Sequence, residues 1–338
     1  MPAGPTLLVD TSFLGDVLCA EPLVRAAAGQ WPDSPVDFLT SPGGAEVLEG
    51  HPGIRRLMVF EKRGVDRGLG GLLRRAATLR TEDYARAICS HRSWRTALLL
   101  RLSRIPERIG FHNASGAWLY SKRVRHQPEL PEVAKNLELV GGGAWERPRM
   151  YPSEDERERA RELTPADSFV ALAPGSIWFT KRWPAQRFAE VTAGILRQGL
   201  SCVLLGGSED QALGEEVGQL AELNAEERSR LHNLCGATNL RESFVLLEQA
   251  RALVTNDSAP MHLGVAAGIP VIAVYCSTLP AFGFAPQGRD DVVLEVEGLP
   301  CRPCGIHGRR ACPEIHFRCA WDTSAEKVLA ALQARLRA

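Results

Sequence analysis

The chain has 338 residues, 45% hydrophobic and 24% charged, with a formal net charge of +0 at pH 7. That length is long for one hydrophobic core and comfortable for two. The zero balance argues against the broad basic footprint of a nucleic-acid binder, and no stretch approaches the ~20 apolar residues of a membrane span.

The N-terminus, MPAGPTLLVDTSFLGDVLC, has no basic start, and Asp10 and Asp16 interrupt its apolar run. It reads as a first strand rather than a signal peptide, so a cytoplasmic protein is expected, with peripheral contact at a membrane surface left open. Thr6–Val9 is that strand, Leu14–Ala28 a helix and Val36–Leu39 a second strand. Leu57–Phe60 and Ala85–Cys89 are further strands, the latter ahead of a helix over Trp94–Leu102. Such alternation predicts a parallel sheet covered on both faces.

A charge-dense helix follows at EDERERARE (154–162), and then the same grammar restarts. Phe169–Leu172 is a strand, and Trp183-Pro184 opens a helix with Pro at its first position and Phe188, Val191 and Ile195 on one face. Strands follow at Ser201–Leu205, Ala252–Thr255 and Val271–Tyr275, with helices over Leu240–Gln249 and from Ala259-Pro260 onward. Thr323-x-x-Glu326 reads as a capping box before an amphipathic helix with Val328, Leu332 and Leu336. The class is α/β: two doubly wound domains, 1–162 and 163–338, the last helix able to pack back on the first. Ligands in such sheets sit beyond the C-terminal strand ends, so two facing domains would place a site in a central cleft.

Three turns of the second half follow strands. Pro174-Gly175-Ser176-Ile177-Trp178-Phe179-Thr180-Lys181-Arg182-Trp183 offers a glycine, two hydroxyls and two cations before a helix, a combination suited to phosphate. A solvated basic loop is the plain alternative. Leu205-Gly206-Gly207-Ser208-Glu209-Asp210 is a weaker signal, because any tight turn uses glycines. In Asn256-Asp257-Ser258-Ala259-Pro260-Met261-His262, Asp257 and Ser258 can cap the next helix, or Asp257 can face sugar hydroxyls while the helix start holds an anion. There is no GxxxxGK[ST] loop and no GxGxxG after the first strand, which argues against an ATPase or a simple dehydrogenase.

In the first half, Gly15 permits close approach after the first strand, and Asp16 is either an N-cap or a general base for a sugar hydroxyl. Segment 90–128 carries eight Lys and Arg against one acidic residue, Glu107. It is either a solvated face or a docking surface for an anionic acceptor.

The set Gly15-Asp16-Val17-Leu18, Pro174-Gly175-Ser176…Thr180-Lys181-Arg182-Trp183-Pro184 and Asn256-Asp257-Ser258-Ala259-Pro260-Met261-His262-Leu263 resembles glycosyltransferase family 9. Leu204–Gly207 and Gly236–Leu240 extend the match through nearly the whole chain, in the pattern of the heptosyltransferase II type. The resemblance implies a GT-B fold of two Rossmann-like domains. It also implies inverting, metal-independent transfer of heptose from ADP-L-glycero-D-manno-heptose to the lipopolysaccharide inner core, with no cofactor. By matching positions, Asp16 would be the base, and Ser176, Thr180 and Lys181 would hold the diphosphate. Asp257, Ser258, Ala259, Pro260, Met261 and His262 would line the donor. Lys62, Arg92 and Arg95 are the candidates for an anionic, lipid-linked acceptor at the cytoplasmic face of the inner membrane. Ala259 departs from the glycine often found there, which widens the backbone approach. Another nucleotide-sugar transferase, an epimerase of the same fold and a non-catalytic relative are the rival readings.

Nine cysteines include five scattered in apolar contexts, expected to be buried and reduced. Cys301, Cys304, Cys312 and Cys319, with His307 and His316 interleaved, are spaced for a structural zinc or for reduced, unmetallated thiols, ahead of a disulfide.

Overall fold

Both halves of the chain wind a six-stranded parallel sheet by the same route. The structure, a computed structural model, describes residues 4–337. It divides into two units, Met1–Tyr151 and Pro152–Ala338.

The first unit has strands β1 (Thr6–Asp10), β2 (Val36–Thr40), β3 (Arg56–Val59), β4 (Arg86–Cys89), β5 (Glu107–Phe111) and β6 (Lys122–Val124). They lie in the order β3-β2-β1-β4-β5-β6. Its helices are α1 (Leu14–Gln30), α2 (Pro42–Leu48), α3 (Gly68–Arg80), α4 (Trp94–Leu102) and α5 (Glu132–Glu138). The strands β1, β2 and β4 are buried along their whole length, as strands covered on both faces must be, and their sequences are correspondingly apolar.

The second unit opens with α6 (Glu154–Leu163) and continues β7 (Phe169–Ala173), α7 (Ala185–Arg197), β8 (Ser201–Leu204), α8 (Gln211–Leu220), α9 (Ala225–Ser229), β9 (Leu231–Asn233) and α10 (Leu240–Gln249). Then come β10 (Leu253–Asn256), α11 (Ala259–Ala267), β11 (Val271–Tyr275), β12 (Val292–Glu295), α12 (Arg318–Trp321) and α13 (Ala325–Leu336). The sheet order is β12-β11-β10-β7-β8-β9. Counted from its own first strand, this is the order of the first sheet. Each winding therefore reverses once, between β1 and β4 in one unit and between β7 and β10 in the other.

Four expectations change. The helix α6 goes with the second unit, so the division falls before it rather than at 162/163. Its arginines and glutamates bind α10, with Arg241 Nε 2.7 Å from Glu156 Oε1 and Arg159 Nε 2.8 Å from Glu242 Oε1. The last helix is built into the second unit. Ala325, Val328 and Leu332 are buried in the second unit's core, and Leu329 lies on Gly194 of α7, where a Cβ would come within 2.6 Å of it. The box at Thr323 does not form either. The Thr323 carbonyl accepts the indole N–H of buried Trp183 at 3.0 Å, which draws Thr323 inward and leaves Ser324 as the cap of α13. Pro184 likewise stands at the cap of α7 rather than in its first turn.

Candidate active site

The reversal between β7 and β10 sets two strand ends side by side, and a single buried amide joins them. Asn256 Nδ2 donates to the Pro174 carbonyl at 2.7 Å, and its Oδ1 accepts the Trp183 N–H at 2.8 Å. Both ends of the 174–183 turn are thereby fixed to β10. The turn then delivers Lys181, whose Nζ lies 2.7 Å from Asp257 Oδ2. The same oxygen accepts from Thr278 Oγ1 at 2.6 Å.

Asp257 thus faces a cation and the end of β11 and does not cap α11. The cap residue is Ser258, yet its side chain makes no capping bond, and its Oγ is buried without a hydrogen-bond partner. Ala259 and Pro260 form the half-buried first turn of α11. A free hydroxyl and an ammonium group beside the positive end of the helix together suit an anion. His262, on the same turn, is held neutral: burial pushes its imidazole down to about 4, Asp257 opposing and Lys181 adding to the effect. Met261 points the other way. It is fully buried, and its Sδ accepts from Tyr275 Oη at 3.6 Å, so it belongs to the core and lines no site.

Thr180 is enclosed rather than presented. It accepts from Ser277 Oγ at 2.9 Å and from the Arg309 N–H at 2.7 Å. Gly308 lies over it with φ +82°, where a Cβ would stand 3.0 Å from both Thr180 Oγ1 and Lys181 Cγ. The Cys304 N–H donates to the Ser277 carbonyl at 2.9 Å. The cysteine-bearing loop is therefore laid across the Thr180–Lys181 turn. Ser176 is half-buried, and its carbonyl accepts from Arg182 Nε at 2.6 Å. Sequence reasoning missed Asp210 as a partner of this turn: its carboxylate fills the space where a Gly175 Cβ would be, at 2.3 Å. It also accepts the Gly207 N–H at 3.2 Å.

In the first unit the reversal between β1 and β4 brings Asp10 and Thr11 against Ser90 and His91. Ser90 Oγ donates to Asp10 Oδ2 at 2.6 Å, and Thr11 Oγ1 is 2.9 Å from His91 Nδ1. Lys62 reaches in, donating to the Thr11 carbonyl at 2.7 Å. Asp16 stands in the first turn of α1 and accepts the Phe13 N–H at 3.2 Å. Burial pushes its carboxyl up to about 7, with Asp10 and Glu132 adding to the effect.

Glu132 begins α5, which is tied to α1 by Asn136 Nδ2 donating to the Cys19 carbonyl at 3.1 Å. Its own carboxyl is raised by burial even though Lys135 lies 3.2 Å away. Only the folded chain brings Asp10, Asp16 and Glu132 together, and nothing in their spacing signals it. Arg92 is exposed just after β4. Arg95 is spent on structure, donating to the Asp66 and Gly68 carbonyls with its guanidinium 5.6 Å over Phe60.

The zinc expectation finds no cage. Among the described residues no group of three or more His, Cys, Asp or Glu side chains is arranged to hold a metal ion. Cys319 is part of the apolar core and Cys312 packs against it. Burial, then the neighbouring cysteines among the smaller causes, lifts the Cys319 thiol to about 11 and raises Cys304 as well.

Among the described residues no helix is long and apolar enough to cross a membrane. The family model for glycosyltransferase family 9 (heptosyltransferase) matches residues 72–311. The chain is 25% identical over 293 residues to lipopolysaccharide heptosyltransferase 2 of Salmonella typhimurium, covering 82% of this chain and 84% of that one. It is 28% identical over 322 residues to lipopolysaccharide heptosyltransferase 1 of Pseudomonas aeruginosa, covering 88% and 85%. Its fold is that of the ADP-heptose lps heptosyltransferase II of E. coli, with a TM-score of 0.80, 24% identity and 98% of each chain covered. The family 9 glycosyl transferase of Veillonella parvula superposes with a TM-score of 0.85 at 22% identity, over 100% of this chain and 98% of that one. Two Rossmann-like domains of a GT-B fold, with charged turns at both winding reversals and a family match over most of the chain, lead to one conclusion: this chain is a glycosyltransferase and belongs to family 9, the heptosyltransferases.

Proposed function

We propose that the protein transfers heptose from ADP-L-glycero-D-manno-heptose to the lipopolysaccharide inner core, with inversion and without a metal. The observation that carries the donor half is the start of α11. There a buried, unpartnered Ser258 hydroxyl caps the helix next to Asp257, which aims Lys181. A diphosphate leaving group gains most from donors fixed in advance where its charge develops. Lys181, Ser258 and the helix start take that role, Ser176 borders the same turn, and Thr180 holds the turn in place. Asp257, Ala259, Pro260 and His262 complete the donor side.

Asp16 is the base. It removes the proton from an acceptor hydroxyl as that oxygen attacks the anomeric carbon and the bond to ADP breaks, so the configuration inverts. A carboxyl near 7 is matched to proton transfer at neutral pH. Lys62 and Arg92 offer the cations for an anionic, lipid-linked acceptor, met in the cytoplasm at the face of the inner membrane.

The test is thermal unfolding with ADP, UDP, GDP or TDP in excess EDTA, followed by the transfer assay. A ligand at a hundred times its Kd adds about 2.7 kcal/mol. A shift with ADP alone, unchanged by EDTA, supports the reading, and an anomeric configuration in the product opposite to that of the donor completes it. A preference for UDP would leave the fold and overturn the heptose donor. Turnover that stops in EDTA and returns with a divalent ion would overturn metal independence.

A further inference from the structure

Besides Phe13 before α1, five large apolar side chains stand on the surface of the first unit among the described residues: Val65 is 66% exposed, Leu69 65%, Leu73 46%, Trp94 58% and Trp118 74%. They form one face. Leu69 and Leu73 are one helical turn apart on α3, and Val65 is in the loop before it. Arg95, on the first turn of α4, donates to the Gly68 carbonyl at 3.3 Å and ties the start of α3 to the start of α4, where Trp94 is. Ser115 Oγ accepts the Trp94 N–H at 3.0 Å, and a Gly116 Cβ would lie 3.0 Å from Trp94 Cα, which brings the turn bearing Trp118 to the same place.

The charge around this face has one dominant sign. Arg63, Arg67, Arg74 and Arg92 are exposed beside it, against one exposed carboxylate, Glu61, which folds over Gly64. The nearby Asp66 is buried and neutralised by Arg75 at 3.0 Å, so its charge is not displayed. Exposed tryptophan and leucine ringed by arginine is the composition of a surface that settles into the headgroup region of a bilayer. A second copy of the chain is a poor occupant, since a two-fold contact would set these arginines against their own like.

We propose that this face, built from Val65, Leu69, Leu73, Trp94 and Trp118, docks the protein on an anionic lipid bilayer. The proposal deepens the reading above and rests on it in one respect, that the acceptor is carried by lipid. The docking itself needs neither donor nor acceptor.

The experiment is co-sedimentation of the full chain with vesicles of phosphatidylcholine alone or mixed with phosphatidylglycerol, read also by tryptophan emission. Partition onto the mixed vesicles is expected to exceed that onto neutral ones about tenfold and to fall with salt. The double variant Leu69→Ser/Trp118→Ser is expected to lose most of the binding while keeping its unfolding midpoint and its turnover of a water-soluble acceptor. Arg63→Glu/Arg67→Glu is expected to lose the preference for anionic lipid. Equal binding to both vesicles, or full binding by the serine variant, overturns the proposal. So does a concentration-dependent dimer that the serine variant disperses. Failure of ADP binding would overturn the donor reading and leave the vesicle result standing.

Discussion

Lys181 Nζ and Asp257 Oδ2 are 2.7 Å apart, held from two strand ends that only the reversal of winding makes neighbours. The aspartate also takes the Thr278 hydroxyl, so the ammonium group is aimed by a carboxylate that is itself fixed. Lys181→Met keeps the stem and removes the charge. It should lower kcat/KM by about 10²–10³-fold, as loss of a preorganised donor to a developing anion does. Lys181→Arg should recover little, because a planar fork does not replace a point charge. Steady-state kinetics and ADP titration calorimetry check both. The double variant Lys181→Met/Asp257→Asn should lose less than the sum of the singles, since each single strands the other partner.

The Asp16 carboxyl near 7 sets the acid limb of the reaction. Turnover should rise with pH through about 7 as the base loses its proton, and Asp16→Asn should cost at least ~10²-fold at every pH. Glu132→Gln removes a nearby negative charge and should move that limb to lower pH without abolishing turnover. A pH profile of kcat/KM for the three proteins decides it. An unmoved limb in Glu132→Gln would mean burial and Asp10 set the value without it.

The same group has a cost in stability. An ordinary aspartate titrates at 3.8, and this one at about 7 when folded, so the folded chain holds the proton more tightly. Its favourable contribution is complete below about pH 4 and is lost as pH rises to 7. That loss amounts to roughly 4 kcal/mol between the two limits. Asp16→Asn should therefore raise the unfolding midpoint at pH 8 and leave it nearly unchanged at pH 4, as calorimetry at the two pH values will show.

Gly175 is small because Asp210 is there. Gly175→Ala puts a Cβ 2.3 Å from the Asp210 carboxylate oxygens and must displace them. Donor KM should rise severalfold, and Gly175→Ala/Asp210→Ala should recover part of the loss, a coupling that a double-mutant cycle measures.

Gly308 controls the loop laid over Thr180. At φ +82° with a Cβ 3.0 Å from Thr180 Oγ1, Gly308→Val is strained in backbone and side chain alike. The expected result is weaker ADP binding by calorimetry with the unfolding midpoint moved by only a few degrees, because the loop lies outside the core strands.

Much of this arrangement is legible in the chain, for a physical reason. Strands such as β1, β7 and β11 are buried on both faces and read as unbroken apolar runs. The helices over Trp94–Leu102 and Leu240–Gln249 follow their predicted bounds. The strands β5, β6, β9 and β12 did not show: the last three are short, partly exposed edges without a clear apolar signature, and β5, ERIGF, has its apolar residues broken by charges and a glycine. At the site, Asp16, Lys181 and Asp257 were visible as residue types after strands. Thr278, Asp210 and Glu132 were not, because each acquires its role through a tertiary neighbour far away in sequence. Arg95 and Met261 carry the right chemistry but the wrong direction, and only packing decides direction.

The second unit's core is completed by the last part of the chain: Phe317, Cys319, Ala320, Ala325, Val328 and Leu332 all enter it, and the Thr323 carbonyl receives the Trp183 indole. During synthesis the first unit has all its strands early and can fold while the ribosome is still working, as N-terminal domains do. The second cannot close until residues 317–332 have been made. A chain cut short before Ala325 would therefore have one finished half and one open one, recognisable to quality-control proteases by its exposed apolar interior.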